Sequence, residues 1–343
     1  MTGPDTLESI SVIIPTYNRE AALRRTLAGY LKQSSAGSIR ELIIVDDGST
    51  DGTPLAVRQF RQSVSFAVQY VFQPNRGPAA ARNRGIELAQ APILLLADDD
   101  MIPHPNLIAQ HLEFHRIHPE AASACLGRVK WSPEIRLTGF MKWYGECEIF
   151  RYRRIPRGVL DFRFFYSCNL SLKNNFLTTF GKFDERFKIA AYEDIELGFR
   201  LEEAGLQLRY NPKAITYHYQ PLTFAEACGK KNRAESARRI LLQTAAGGRL
   251  LQLEREREAR PSFRAGRRIA TWLGRAFPVS KLLDSRLPLP GFLYRSLLWY
   301  HARKVTEAQC AANASPTPEV PQVTADFDTA AAHRLPRLGP TNS

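Results

Sequence analysis

Cysteine is scarce in this chain and forms no pattern. Cys125, Cys147, Cys168, Cys228 and Cys310 are odd in number and widely spaced, with no C-x-x-C pair. That excludes a disulfide framework and a zinc ribbon, and it points to reduced thiols in a reducing compartment. Long apolar runs are missing as well. Stretches such as Ile93–Ala97 fall far short of the ~20 residues that span a bilayer. Met1 to Ser9 is polar, carries Asp5 and Glu8, and lacks both the basic start and the apolar stretch of a secretory signal. The expectation is a cytoplasmic protein, soluble or peripheral at the inner face of the cytoplasmic membrane. Neither G-x-G-x-x-G nor G-x-x-x-x-G-K-S/T occurs, which removes dinucleotide and Walker-type phosphate binding.

What is present is globular in composition. Of 343 residues, 44% are apolar and 24% charged, which suits one large α/β domain with an appendage. The net charge of +13 is concentrated: Cys228 to Lys304 holds 18 Lys and Arg against 5 Asp and Glu, so the rest is close to neutral. A basic appendage beside a neutral domain suggests a docking surface for something anionic.

Strand and helix signals alternate through the first half. Ile10–Pro15, Glu41–Val45, Val68–Phe72 and Ile93–Ala97 read as short strands, with helices at Glu20–Lys32, Thr53–Gln62 and Pro78–Ala89 between them. Near-continuous apolar strands separated by helices imply a mostly parallel sheet covered on both faces. Ligands then belong at the carboxyl ends of the strands, where Pro15–Asn18, Asp46–Thr50, Asn75–Gly77 and Asp98–Asp100 fall. From Trp131 to Tyr166 the pattern breaks: ten of 36 residues are aromatic, with Arg151, Arg153, Arg154 and Arg157 among them. Rings and guanidinium forks suit sugars or phosphates; the plainer reading is a second core layer with a basic rim. Regular structure resumes at Ser167–Leu172, and Glu193–Ala204 reads as a helix ended by Gly205. Beyond Tyr219 the chain is helical and basic, and Phe263–Phe277 and Phe292–Arg303 have an interfacial, amphipathic composition. From about Glu307 onward disorder is expected.

Asp98-Asp99-Asp100 closes an apolar strand. Side chains alternate on an extended segment, so Asp98 and Asp100 are expected on one side and Asp99 on the other. Two carboxylates so placed are hard oxygen ligands for Mg²⁺ or Mn²⁺; the alternative is an acidic turn capping the next helix. Asp46-Asp47-Gly48-Ser49-Thr50-Asp51 also follows a strand. Alternation lets one of its paired acids face a ligand, and Ser49, Thr50 or Asp51 can cap the following helix. His104, His111, His115 and His118 lack H-E-x-x-H spacing and a cysteine partner, so a solvated helix face is expected rather than zinc.

These residues reach a recognisable pattern. Val12-Ile13-Ile14-Pro15-Thr16-Tyr17-Asn18, Ile44-Val45-Asp46-Asp47-Gly48-Ser49-Thr50-Asp51, Asn75-Arg76-Gly77 and Ala81-Arg82-Asn83-Arg84-Gly85 resemble glycosyltransferase family 2. Asp98-Asp99-Asp100 resembles its DXD motif. Gly181-Lys182-Phe183-Asp184-Glu185 and Tyr192-Glu193-Asp194-Ile195-Glu196-Leu197 resemble its second half. The ordered match runs from about Ile10 to Tyr219. It implies a Rossmann-like GT-A fold, a nucleoside-diphosphate sugar donor, a divalent cation (Mg²⁺ or Mn²⁺) and inversion at the anomeric carbon. Pro15, Thr16, Tyr17 and Asn18 would border the nucleotide, and Asp47 or Asp46 would hydrogen-bond the base. Arg76, Arg82 and Asp99 would belong to the same donor site. Asp98 and Asp100 would take ribose and metal. His218 is a candidate further metal ligand, beside the reading of an ordinary packed histidine. Asp194, with Glu193 beside it, would be the catalytic base, unless the pair merely caps a helix.

Inverting transfer needs a base on the acceptor hydroxyl and charge stabilisation on the departing diphosphate, so the resemblance is chemically coherent. Met101 stands where family members often carry a fourth acid, which leaves the metal's outer contacts open. The Q-x-x-R-W motif of processive members is absent, with Lys230-Lys231-Asn232-Arg233 in that region. Single transfer is therefore expected, in polysaccharide or glycoconjugate biosynthesis. The expected organisation is a tail at 1–9, a catalytic domain at 10–225 (donor half 10–120, acceptor half 121–225), a basic helical region at 226–306 and a disordered tail at 307–343. Expected partners are the donor, a glycan or lipid-linked acceptor and an anionic membrane surface, with no nucleic acid. A sugar nucleotidyltransferase would need a Gly-rich basic loop where Pro15-Thr16-Tyr17-Asn18 stands. A non-catalytic anionic-surface binder would leave the acidic strand ends unexplained.

Overall fold

The computed structural model describes residues 9–149, 152, 155–259, 272, 283–285 and 289–301. All but the last residue of the expected tail at 1–9, the expected tail from Glu307, Phe150, Arg151, Arg153 and Arg154, and Phe263–Phe277 apart from Trp272 lie outside the described residues.

Each element expected in the first half is present: β1 (Ile10–Thr16), α1 (Glu20–Tyr30), β2 (Ile39–Asp46), α2 (Thr53–Arg61), β3 (Ala67–Phe72), α3 (Pro78–Leu88) and β4 (Ile93–Ala97). Apolar residues on the two faces of each strand explain why. On β1, Ile10, Val12 and Ile14 enter one core while Ile13 enters the other; on β4, Leu95 and Leu94 divide the same way. A strand buried on both faces has no polar side to show, hence the continuous apolar run. Helix α1 meets the first core through Leu23, Leu27 and Tyr30, a stripe at helical spacing. The small residues Ala79 and Ala81 let α3 lie close against the second.

The chain continues through β5 (Met101–Pro103), α4 (Leu107–Ile117), β6 (Ser123–Trp131), α5 (Gly139–Tyr144), β7 (Val159–Leu160) and β8 (Asn169–Lys173). Then come α6 (Asn174–Phe180), α7 (Glu193–Glu203), β9 (Gln207–His218), α8 (Phe224–Leu241) and α9 (Ala245–Glu258). Residues 291–301 form a further helix. The sheet order is β3-β2-β1-β4-β8-β6-β9-β5, with β7 on β9. The β3-β2-β1-β4 part is parallel. β8 joins β4 and β6 antiparallel, and β6 pairs β9 parallel, so the second half is mixed.

Most of the aromatic stretch is a core layer. Phe140 and Tyr144 pack with Phe224 of α8 and with Tyr294, Leu297 and Leu298 of the last helix. The described residues of the basic appendage thus lie on the domain through those apolar side chains, whereas Trp272 and Phe292 are 67% and 59% exposed. No helix among the described residues is long and apolar enough to cross a membrane.

The histidines of α4 correct the expectation of a solvated face, because His111 and His115 are fully buried. His111 Nδ1 and His115 Nε2 each lie 2.8 Å from Ser171 Oγ, and His111 Nε2 lies 2.9 Å from Asn169 Oδ1. Burial lowers their pKa to about 4 for His111 and about 2 for His115, with Lys173 adding to the latter. Neutral imidazoles are tolerated in this core because β8 supplies hydroxyl and amide partners.

Candidate active site

The carboxyl ends of β1, β2 and β4 and the end of β9 converge. After β4 the chain turns at once, and Met101 N–H donates to Asp98 O at 3.3 Å. The turn breaks the side-chain alternation on which the pairing of Asp98 with Asp100 rested, so the three carboxylates divide differently. Asp98 turns to Arg82 of α3, whose Nη2 is 2.7 Å from Asp98 Oδ1 and whose Nη1 is 3.0 Å from Glu193 Oε1. Asp99 and Asp100 share Arg19 instead, at 2.9 and 2.6 Å. Asp99 also accepts from Thr16 Oγ1 at 2.8 Å, which turns two expected donor-site residues toward each other.

Asp194 begins α7 next to Glu193. Ser167 grips it twice: its backbone N–H donates to Oδ2 at 3.0 Å and its hydroxyl to Oδ1 at 2.7 Å. Burial raises the Asp194 pKa, against the pull of Arg82 and the two Ser167 bonds. Burial, then repulsion from Asp194, pushes Glu193 up to about 8 despite Arg82. For Arg82, burial alone would lower the pKa, but Asp98, Asp194 and Glu193 raise it well above its ordinary value. One buried guanidinium thus faces three acids, one of which is poised to hold a proton.

His218 reaches Asp100 because β5 pairs with the end of β9, setting Met101 opposite His218. Its Nε2 stands 3.3 Å from Asp100 Oδ2, and Trp131 stacks on its ring with centroids 5.2 Å apart. Burial would raise Asp100, but the bond to His218 and the charges of His218 and Arg19 hold it well below the usual carboxylate range. Burial lifts Asp99 to about 7 against Arg19. The carboxylate oxygen and the imidazole nitrogen stand as close together as two neighbouring ligands of one divalent ion. Among the described residues no group of three or more His, Cys, Asp or Glu is arranged to hold a metal ion. Of the expected metal residues Asp98, Asp100 and His218, the structure brings the last two together, while Asp98 turns to Arg82.

The β2 end is a scaffold for the loops. Asp46 accepts from Ser49 N–H at 2.7 Å and from Tyr70 Oη at 2.6 Å. Asp47 accepts from Gln73 Nε2 and from the N–H groups of Arg76 and Gly77, at 2.7 to 2.9 Å. Gly77 has φ +92, and a Cβ there would stand 2.9 Å from the Lys188 backbone, so glycine is required. Asn18, at φ 50, accepts from Thr50 N–H at 2.7 Å and ties the β1 loop to the β2 loop. Both expected acids are buried, so neither presents a side chain openly. Arg76 pairs with Glu185 at 2.6 Å, Tyr17 is 47% exposed, and Pro15 is half-buried.

Four residues were missed by reading the sequence. Ser167 and Arg19 carry no motif of their own. Cys168 lies among Asp98, Asp194 and Asp100; burial, then those charges, pushes its thiol well up. Lys230 of α8 comes near Asp100 and Arg19, and burial lowers its pKa while Asp100 raises it. Only Lys230 had a signal, its place in the basic region where processive relatives keep Q-x-x-R-W.

Residues 11–180 match the family model described as Glycosyl transferase family 2. A validoxylamine A glucosyltransferase from Streptomyces hygroscopicus subsp. limoneus is 32% identical over 224 residues, 58% of this chain and 49% of that protein. A hyaluronan synthase from Pasteurella multocida is 28% identical over 241 residues, 62% of this chain and 24% of that protein. The chain therefore spans about half, or less, of the length of these relatives. A solved mannosyltransferase from Pyrobaculum calidifontis, in complex with GDP-Man and Mn²⁺, superposes with a TM-score of 0.52 at 17% identity, covering 90% of this chain and 76% of that one. That likeness concerns the fold, which is GT-A.

Proposed function

Residues 11–180 of this chain are a glycosyltransferase family 2 domain, and on that premise we propose that the protein moves one sugar from a nucleoside-diphosphate donor to an acceptor hydroxyl, with inversion. The observation that carries the reading is the meeting of Arg82, Asp98, Glu193 and Asp194 beside Asp99, Asp100 and His218 at the strand ends. Asp194 is the base: it takes the acceptor proton as the new bond forms, and Ser167 holds its carboxylate in one orientation. Arg82 keeps Asp98 and Glu193 fixed relative to that base. Asp100 and His218 are the residues that would hold a divalent cation, which supplies Lewis-acid stabilisation to the departing diphosphate. Lys230 and Arg19 add positive charge on the same side. Pro15 to Asn18 and Arg76 border the donor's nucleotide.

Single addition is supported by the lack of Q-x-x-R-W. Hexose donors come first for testing, because one relative is a glucosyltransferase. The purified chain is incubated with a panel of nucleotide sugars and Mn²⁺, and released nucleotide is identified. Nucleoside diphosphate is expected, whereas pyrophosphate would indicate a nucleotidyltransferase. Asp194→Asn should lose transfer by about three orders of magnitude or more while donor affinity stays within a few-fold. Collapse of donor affinity with turnover preserved would make Asp194 a ligand instead.

A further inference from the structure

The acidic end of β4 already carries a cation of its own. Arg19, at the start of α1, forks across the acid pair with Nη1 2.9 Å from Asp99 Oδ1 and Nη2 2.6 Å from Asp100 Oδ2. His218 Nε2 approaches that same Oδ2 at 3.3 Å. Neighbouring ligands of one Mg²⁺ or Mn²⁺ ion stand about 3 Å apart, each about 2.1 Å from it, so the Asp100–His218 spacing suits an ion. The oxygen such an ion would use is the one Arg19 occupies. A guanidinium and a divalent ion on one oxygen repel each other, so each weakens the other's hold. The two acids are 5% and 6% exposed and fixed, whereas the Arg19 side chain is 38% exposed and has solvent to swing into.

We propose that Arg19 is a tethered, displaceable counter-ion that neutralises the acid pair in the cation-free protein and competes with the divalent ion for Asp100. The inference rests on the reading of this strand end as the cation and donor site. It has a consequence for binding order. Arg19 released by the ion would have its charge available to the donor diphosphate, so ion and donor would strengthen each other's binding.

The test is Mn²⁺ binding to the full chain without nucleotide, followed by the electron paramagnetic resonance signal of the unbound ion. Quenching of tryptophan fluorescence gives a second readout, since Trp131 stacks on His218. Arg19→Ala and Arg19→Gln should bind Mn²⁺ at least about fivefold more tightly than wild type, the scale of an ordinary coupling. Millimolar guanidinium should weaken Mn²⁺ binding to Arg19→Ala but leave wild type unchanged. Arg19→Gln keeps the experiment readable if the alanine variant fails to fold by circular dichroism. Binding that is equal or weaker in the folded variants, including none, overturns the proposal. Nucleoside diphosphate release by wild type is scored separately. Turnover with unchanged Mn²⁺ affinities sinks only the role of Arg19, whereas no turnover on any donor sinks the transferase reading.

Discussion

The grip of Ser167 on Asp194 can be weighed by removing one of its two bonds. In Ser167→Ala the hydroxyl that donates to Oδ1 at 2.7 Å is lost, while the backbone N–H still reaches Oδ2 at 3.0 Å. A hydrogen bond to a charged group contributes about 1.5–3 kcal/mol. Its loss therefore raises the Asp194 pKa further. The sign follows from the donor favouring the ionised form: without it the proton is held to higher pH. Burial has already raised this group above an ordinary aspartate, so the acid limb of kcat should begin above that range and move up further in the variant. Once Asp194 is ionised, kcat should recover to within about tenfold of wild type, because the remaining bond keeps the carboxylate in place. The assay is nucleoside diphosphate release at saturating donor and acceptor, from about pH 5 to about pH 9. An acid limb that stays put, with kcat lowered equally at every pH, would refute the argument and leave Ser167 a packing residue.

Other expectations are as direct. Asp100→Asn, or excess chelator with wild type, should remove transfer by about 100-fold or more while melting remains cooperative; full activity in chelator would rule out the cation. Burial and the Asp194 charge push the Glu193 pKa up to about 8 in the folded state. An acid raised in this way contributes stability below its unfolded pKa of about 4.3, and that contribution is lost as pH rises through the folded value. The unfolding free energy of wild type relative to Glu193→Gln, from denaturant melts, should therefore fall from about pH 5 to about pH 8, by at most about 1.4 kcal/mol per pH unit. A difference independent of pH means Glu193 is ionised throughout. The basic C-terminal region, with Trp272 and Phe292 exposed, should carry the protein into the floating fraction with anionic vesicles at low salt and release it at high salt, since each basic residue contributes about 1 kcal/mol. A protein that stays at the bottom of the gradient at low salt has no such surface.

The sequence by itself determined the first half of the fold. Apolar runs such as Ile93–Ala97, spaced by amphipathic helices, are local signals, and the strand-end position of Asp98–Asp100 follows from them. The ordered motifs also carried the family. Which carboxylate meets which cation was decided only in three dimensions. Arg82 and Glu193 are 111 residues apart, Asp100 and His218 are 118, and Arg19 and Asp100 are 81. These pairs exist because β1 and β8 flank β4 and because β5 folds back onto β9. Alternation failed at Asp99 because it holds only while the backbone is extended, and the strand ends at Ala97. His111 and His115 misled for a related reason. A polar residue on a helix face looks solvated in one dimension, and only the sheet that receives the helix shows that Ser171 and Asn169 are there to satisfy it.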